Sequence, residues 1–214
     1  MATASAETTS ARRTQAERRG ATRAALLDAT IDCIVEEGYA NTTTRAIAQR
    51  AGVTPGALQH HFATKTELLS QARRHISKKI VQELAADRPD TALPIQERTE
   101  WFLDRVWDLF KGPLFHAGME LWVASRTNSE LRSSLVDVQR YGAHAIIATG
   151  PVLYPELARR PGLAELIATG QATMRGLALL RFVNDADADR VWPATRAHLL
   201  ALTLQFSREA GQTP

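Results

Sequence analysis

The chain has 214 residues, of which 44% are hydrophobic and 23% charged, a balance that excludes collagen-like, fibrous and disordered classes. A single cysteine, Cys33, excludes an intrachain disulfide and a multi-cysteine zinc site. The overall charge of +3 divides into +5 for residues 1–80 (12 Lys and Arg against 7 Asp and Glu) and −2 for residues 81–214 (14 against 16). One end is thus suited to a polyanion, although a solvated surface with chance asymmetry gives the same numbers. No apolar run approaches the roughly 18 residues of a membrane helix, and the first residues lack the apolar segment of a secretory signal. A cytoplasmic, soluble protein with no membrane contact is expected.

Apolar residues recur at the helical period throughout. Residues 1–15 show no stripe and read as a flexible basic tail, with Arg12, Arg13, Arg18 and Arg19 around its junction. From about Arg18, Leu27, Ile31, Ile34 and Val35 form one face of a helix that stops at Gly38. A short helix is predicted from Thr44 to Ala51, then a break at Gly52. Thr54-Pro55 is a start signal, a hydroxyl cap followed by a proline where its missing N–H costs nothing. Thr64 and Glu67 have capping-box spacing and open a helix to about Asp87. Pro89 and Pro94 bracket a loop. The next helix carries Ile95, Phe102, Val106 and Leu109 on one face and Leu103, Trp107 and Phe110 on another, so it is buried on two sides. Gly112-Pro113 breaks it, and Phe115, Met119 and Trp122 continue on a new helix. Asn128 caps a further helix that ends at Gly150-Pro151. A loop over 155–162 precedes two final helices, about 163–183 and 188–210, with Pro193 at or near the start of the last. No segment alternates at period two. The fold class is all-α with about nine helices: residues 16–70 as one domain, residues 71–214 as a larger helical one.

The segment TTTRAIAQRAGVTPGALQHHF, from Thr42 to Phe62, has the layout of a helix-turn-helix. Ala48 lets two short helices cross closely, Gly52 takes the turn, and Leu58 anchors the second helix. Pro55, Gly56, Ala57, Gln59, His60 and His61 are left facing out, and small residues at the helix start let its N-terminal end approach the major groove. Gln59 can offer an amide pair to adenine or reach a phosphate. Thr43, Thr44 and Arg45 at one helix start, Thr54 at the second and Lys65 at the third lie where N–H groups, hydroxyls and cations meet phosphates.

The stretch GYANTTTRAIAQRAGVTPGALQHHFATKTELL, Gly38 to Leu69, resembles the TetR family of bacterial transcriptional regulators. It has the family's Gly-aromatic pair, two threonines, Ile-Ala, Ala-Gly-Val, small-residue helix start, His-Phe and following Lys in register. The resemblance covers roughly residues 18–70. One departure is Gln59, where the family usually has an aromatic residue, often a phosphate-contacting Tyr. The remaining two thirds match the family only in helical pattern and length.

Several residues have a plainer reading beside a functional one. His60 and His61 point to different helix faces with no Cys or carboxylate at ligand spacing, so no metal, cofactor or catalytic role is assigned. Cys33 reads as an inert buried thiol. Phe102, Val106, Phe110, Phe115, Met119, Trp122 and Met174 fill a core by spacing alone. The resemblance implies instead a cavity for an effector, with Arg126, His144 or His116 orienting its head group. Leu166, Gly170, Thr173, Leu177 and Leu180, with Trp192, Leu199, Leu202 and Phe206, pack either within one subunit or, as the resemblance implies, in a two-fold four-helix bundle.

The expected function is a repressor that binds a pseudo-palindromic, double-stranded DNA operator as a homodimer and is released by a small apolar or aromatic effector. Two alternatives remain. In one the large domain serves oligomerisation or a protein partner without an effector. In the other the protein is an all-α enzyme, for which no convergent titratable groups, phosphate loop or metal-spaced cluster is visible.

Overall fold

Thr14 starts the first helix, α1 (Gln15–Asn41). Its hydroxyl accepts from the Glu17 N–H at 3.2 Å, and the Glu17 carboxylate accepts from the Thr14 N–H at 2.6 Å. This reciprocal cap satisfies two N–H groups that a helix start otherwise leaves open. The computed structural model describes residues 14–86 and 88–210. α1 therefore begins a turn ahead of Arg18, because Thr14 and Glu17 outweigh the lack of an apolar stripe there. The rest of the predicted basic tail, residues 1–13 with Arg12 and Arg13, lies outside the described residues. At Gly38 (φ 75°, ψ 163°) the regular helix breaks, and one further turn reaches Asn41.

Three helices complete the N-terminal unit: α2 (Thr44–Arg50), α3 (Pro55–His61) and α4 (Lys65–Ala86). Leu26, Ile47, Phe62 and Leu68 are almost wholly buried together, with Ala48 where α2 and α3 meet. Gly52 takes φ 67° in the turn. Thr64 caps α4 by accepting from the Glu67 N–H at 3.0 Å, while Glu67 accepts the Ala63 N–H at 2.9 Å.

The larger unit is built from α5 (Ile95–Lys111), α6 (Pro113–Ala124), α7 (Ser129–Ile147), the single-turn α8 (Gly150–Leu153), α9 (Leu163–Leu179) and α10 (Asp185–Ala210). Short 3-10 turns occupy Pro155–Leu157 and Leu180–Phe182. Nine helices of seven residues or more and one single turn make up the fold, with no strand among the described residues. Asn128 caps α7 as predicted, accepting from the Leu131 N–H at 2.9 Å.

The last two helices differ from their sequence boundaries. α9 tightens into a 3-10 turn at Leu180, and α10 starts at Asp185 because the Asn184 side chain accepts from the Ala186 N–H at 3.1 Å. Pro193 consequently lies inside α10, where it cannot donate to the preceding turn. The neighbouring Trp192 stacks on Trp107 of α5, with ring centroids 4.5 Å apart and planes 7° apart. Arg98, itself buried, binds Glu156 and the Leu153 carbonyl, fastening α5 to the α8 region.

The two units are not separated by a linker. Ile31 and Ile34 of α1, Leu69 and Ile76 of α4, Leu121 of α6 and Leu131 and Leu135 of α7 form one buried cluster. α4 belongs to both: its first half packs under α2 and α3, its second half against α5 and α7.

Candidate nucleic-acid interface and central cavity

α3 is too short to persist alone, and one residue holds it down. Leu58 is its sole buried side chain, 5% exposed. Thr54 caps it by accepting from the Ala57 N–H at 3.1 Å, and Pro55 follows at the first helical position. Thr54, Pro55, Gly56, Gln59 and His60 are all exposed, and Ala57 is half-buried. On α2, Thr43 caps by accepting from the Ala46 N–H at 3.1 Å, and Thr44 and Arg45 stand in solvent beside it. A groove lined by Thr44, Pro55, Gln59, Thr64 and Lys65 runs between these helix starts. The predicted surface residues are thus brought to one face, with His61 and Lys65 half-buried at its margin.

His61 sits against Phe62, ring centroids 6.5 Å apart. Burial first, then the charges of His60, Arg19 and Arg23, hold its imidazole below the ordinary histidine value. The charges acting on this ring among the described residues are thus all cationic. Lys65 lies 5.5 Å from the centre of the Tyr39 ring. Tyr39 was not singled out from sequence beyond its place in the Gly-aromatic pair. Its N–H donates to Glu120 of α6 at 3.2 Å, and its hydroxyl accepts from Asn128 at 3.5 Å. Cys33 is fully buried, and burial raises its thiol pKa, which disfavours the thiolate.

The predicted effector residues divide. Phe110, Phe115 and Met119 line a cavity of about 40 Å³ between α4, α6, α7 and α9. Phe102 and Met174 border a second void of about 30 Å³ against α10. Val106 is buried in the core without facing either space. Trp122, 43% exposed, Arg126 and His144 lie on the surface and do not enter these cavities. Helical spacing placed Trp122 with Phe115 and Met119, but α6 turns that edge outward near its end. His116 does lie inward; its Nε2 is buried without a hydrogen-bond partner, against Phe115 and Phe182.

Sequence reasoning missed the polar lining of the first cavity: Arg73 and Ser77 of α4, Gln139 of α7, and Gln171 and Arg175 of α9. One signal was available. Arg175 is the only basic residue in α9, LAELIATGQATMRGLAL, and a lone cation in such a helix is costly unless it has a task.

The predicted dimer residues also divide. Thr173, Leu180 and Leu202 are exposed, and Leu166, Gly170 and Phe206 are half-buried. Leu177 and Leu199, 8% and 7% exposed, instead face the subunit's own core. α9 and α10 carry apolar residues on more than one side, so the stripe read from sequence joined the inner and outer faces. Phe206 is covered by Arg160, 4.0 Å from its ring centre.

A cap-and-turn pair of short helices, the second projecting from an all-helical body, defines a helix-turn-helix protein. Residues 26–72 match the family described as bacterial regulatory proteins, tetR family. An uncharacterised HTH-type transcriptional regulator of Mycobacterium tuberculosis is 39% identical over 133 residues, 59% of this chain and 64% of that protein. The HTH-type transcriptional regulator CymR of Pseudomonas putida is 32% identical over 124 residues, 58% of this chain and 61% of that protein. The match thus spans less than two thirds of the length of these relatives. The crystal structure of a transcriptional regulator from Rhodococcus sp. Rha1 shares the fold with a TM-score of 0.66 at 23% identity, over 86% of this chain and 94% of that one. The multidrug binding protein EbrR complexed with ethidium gives 0.65 at 21% identity, over 85% and 98%. Residues 26–72 thus carry the DNA-binding region of the TetR family, and the chain is similar to HTH-type transcriptional regulators over part of their length and to solved transcriptional regulators in fold.

Proposed function

We propose that the protein is a DNA-binding repressor that works as a homodimer on a pseudo-palindromic operator and is released by a small-molecule effector held in the central cavity. The observation that carries this reading is α3: anchored through Leu58 alone, it leaves Gln59 and His60 free at the same face as the exposed Thr44 and Arg45. In this reading each subunit places α3 in the major groove, where Gln59 reads adenine, and Thr43, Thr54 and Lys65 fix the register on phosphates. Two such helices in a symmetric dimer sit about 34–36 Å apart, one turn of duplex, so half-site symmetry follows from subunit symmetry.

The outer faces of α9 and α10 support the dimer. Gly176 and Thr173 on α9 and Ala194, Ala197, Ala201 and Leu202 on α10 are exposed in the single subunit. Small residues of this kind let helices of two subunits approach closely in a four-helix bundle. EbrR, similar in fold, is described as a multidrug binding protein and complexed with ethidium, which supports placing an effector among the central helices. Such an effector acts by preferring the conformation whose reading helices are mis-spaced, and only to the extent of that preference.

The test is an electrophoretic shift with DNA from around the protein's own gene, alone and with Gln59→Ala. A retarded complex resistant to competitor DNA, with symmetric protection over two successive turns, is the expected result. Binding that Gln59→Ala and Lys65→Ala both leave unchanged would refute the docking of α3.

A further inference from the structure

We propose that the effector is an organic anion, a carboxylate on an apolar or aromatic body, whose charged group sits between Arg73 of α4 and Arg175 of α9. This rests on the reading of the central cavity as the effector site. Both arginines line the same small cavity, with Phe115 and Met119 across from them. Neither forms an ion pair among the described residues. Arg73 donates to the neutral Ser77 hydroxyl at 2.7 Å, and Arg175 lies 5.5 Å from the centre of the Trp122 ring.

Four other arginines of this unit are matched with acids: Arg98 with Glu156, Arg160 with Glu209, Arg181 with Asp189, and Arg196 with Asp104; Arg105 and Arg132 bond to backbone carbonyls instead. Arg73 and Arg175 share one partly open cavity instead. Burial, then the charge of Arg175, pushes the Arg73 pKa down to about 10. Burial lowers the Arg175 pKa as well; a guanidinium keeps its charge in proteins, and two partly desolvated cations without a counterion are costly to keep. An anion between them removes that cost, and it is the ligand charge this cavity favours. Among the described residues no carboxylate lines the space, whereas Gln139 and Gln171 add amide groups able to donate to an oxyanion.

The walls set the rest of the molecule. Phe110 and Phe115 stack with centroids 4.7 Å apart beside Met119, an apolar surface with one adaptable side chain. A space of about 40 Å³ holds little more than a head group. Val81 is the wall shared with a wider apolar void of about 220 Å³, lined by Leu84, Trp101 and Phe102. A ligand body extends past Val81 or displaces Met119.

The experiment uses the full-length protein, with thermal-shift and calorimetric titration of sodium decanoate and sodium 2-naphthoate against decanamide, 2-naphthamide, decyltrimethylammonium and sodium sulfate. Expected is a concentration-dependent rise in melting temperature with at least one acid. That acid binds roughly tenfold or more tightly than its amide, the scale of one charge-assisted hydrogen bond. Arg175→Gln and Arg73→Gln each lose that preference. Without ligand, Arg175→Gln melts no lower than wild type, because a repulsion has gone; a merely structural arginine would lower it. Equal binding of acid and amide, tighter binding of the ammonium, or no binding of either acid overturns the proposal. A response matched by sulfate overturns it as an inorganic anion effect. Dissociation of the Arg175→Gln dimer in sedimentation with acid binding unchanged overturns it in favour of a pair across subunits. Acid binding that leaves the DNA complex intact upholds the anion site and refutes the regulatory reading instead.

Discussion

Adjacent residues on α3 should separate stability from recognition. Leu58 is 5% exposed and packs in the cluster of Leu26, Ile47, Phe62 and Leu68. Its replacement by alanine removes buried methyl groups and leaves a void that a closely packed three-helix head fills only in part, at a cost of about 3 kcal/mol within a range of 2–5. For a chain of this size that corresponds to a fall in melting temperature of roughly 6–12 °C. Because a seven-residue helix has little stability of its own, the loss falls first on α3. Its backbone amides should exchange with solvent well before those of α4. Gln59→Ala, one residue on and exposed, should change stability by no more than about 0.5 kcal/mol while losing about 1–3 kcal/mol of discrimination at one base pair. Calorimetry, hydrogen exchange and titration of labelled DNA read the three quantities. A Leu58→Ala protein that melts within about 2 °C of wild type would refute the claim that this side chain holds the helix.

Other outcomes follow from the same geometry. Lys65→Ala should weaken binding to all DNA sequences alike and reduce the slope of log affinity against log salt by about one. His61 is neutral in the free protein near pH 7, its pKa lowered by burial, then by His60, Arg19 and Arg23. Phosphates raise that pKa, so DNA affinity should climb as pH falls through the interval between free and bound values, and His61→Gln should flatten the profile. The folding contribution has the opposite sense: it is complete above the unfolded value near 6.5, declines as pH falls from there, and is lost once pH has passed through the lower folded value. Glu156→Gln strands the guanidinium of Arg98, and it should cost about 1–3 kcal/mol in denaturant unfolding, limited because the Glu156 side chain is 40% exposed. Gly52→Ala, at φ 67°, should cost about 1–2 kcal/mol and leave the base preference intact.

The helix-turn-helix was legible because local rules there all agree. Thr54-Pro55, Gly52, Ala48 and Leu58 each specify one backbone state or one contact, and the structure places every one of them as that chemistry requires. Residues whose role depends on distant helices were less legible. Leu177 and Leu199 belong to helices apolar on two sides, and only the packing of α9 on α5 and α10 decides which side faces in. Trp122 and His144 keep helical spacing with buried neighbours yet lie beyond the edge of the covered face. Arg73 and Arg175 escaped notice for the reverse reason: an arginine is ordinarily solvated, so its sequence context hides a role inside a cavity. Pro193 shows the same limit, since stacking of Trp192 on Trp107 holds α10 across a residue that local preference would place at a helix end.

α4 carries Lys65 at its start and Arg73 and Ser77 two to three turns later. Positions eight residues apart on a helix are separated by about 12 Å along a nearly rigid rod. Any exchange of cavity residues that slides this rod by a single residue's rise, about 1.5 Å, also moves the ammonium group at its tip. Under the proposed function, retuning the protein to a new inducer is therefore not independent of its operator, and variants selected for ligand response alone should often arrive with altered basal occupancy of their promoter.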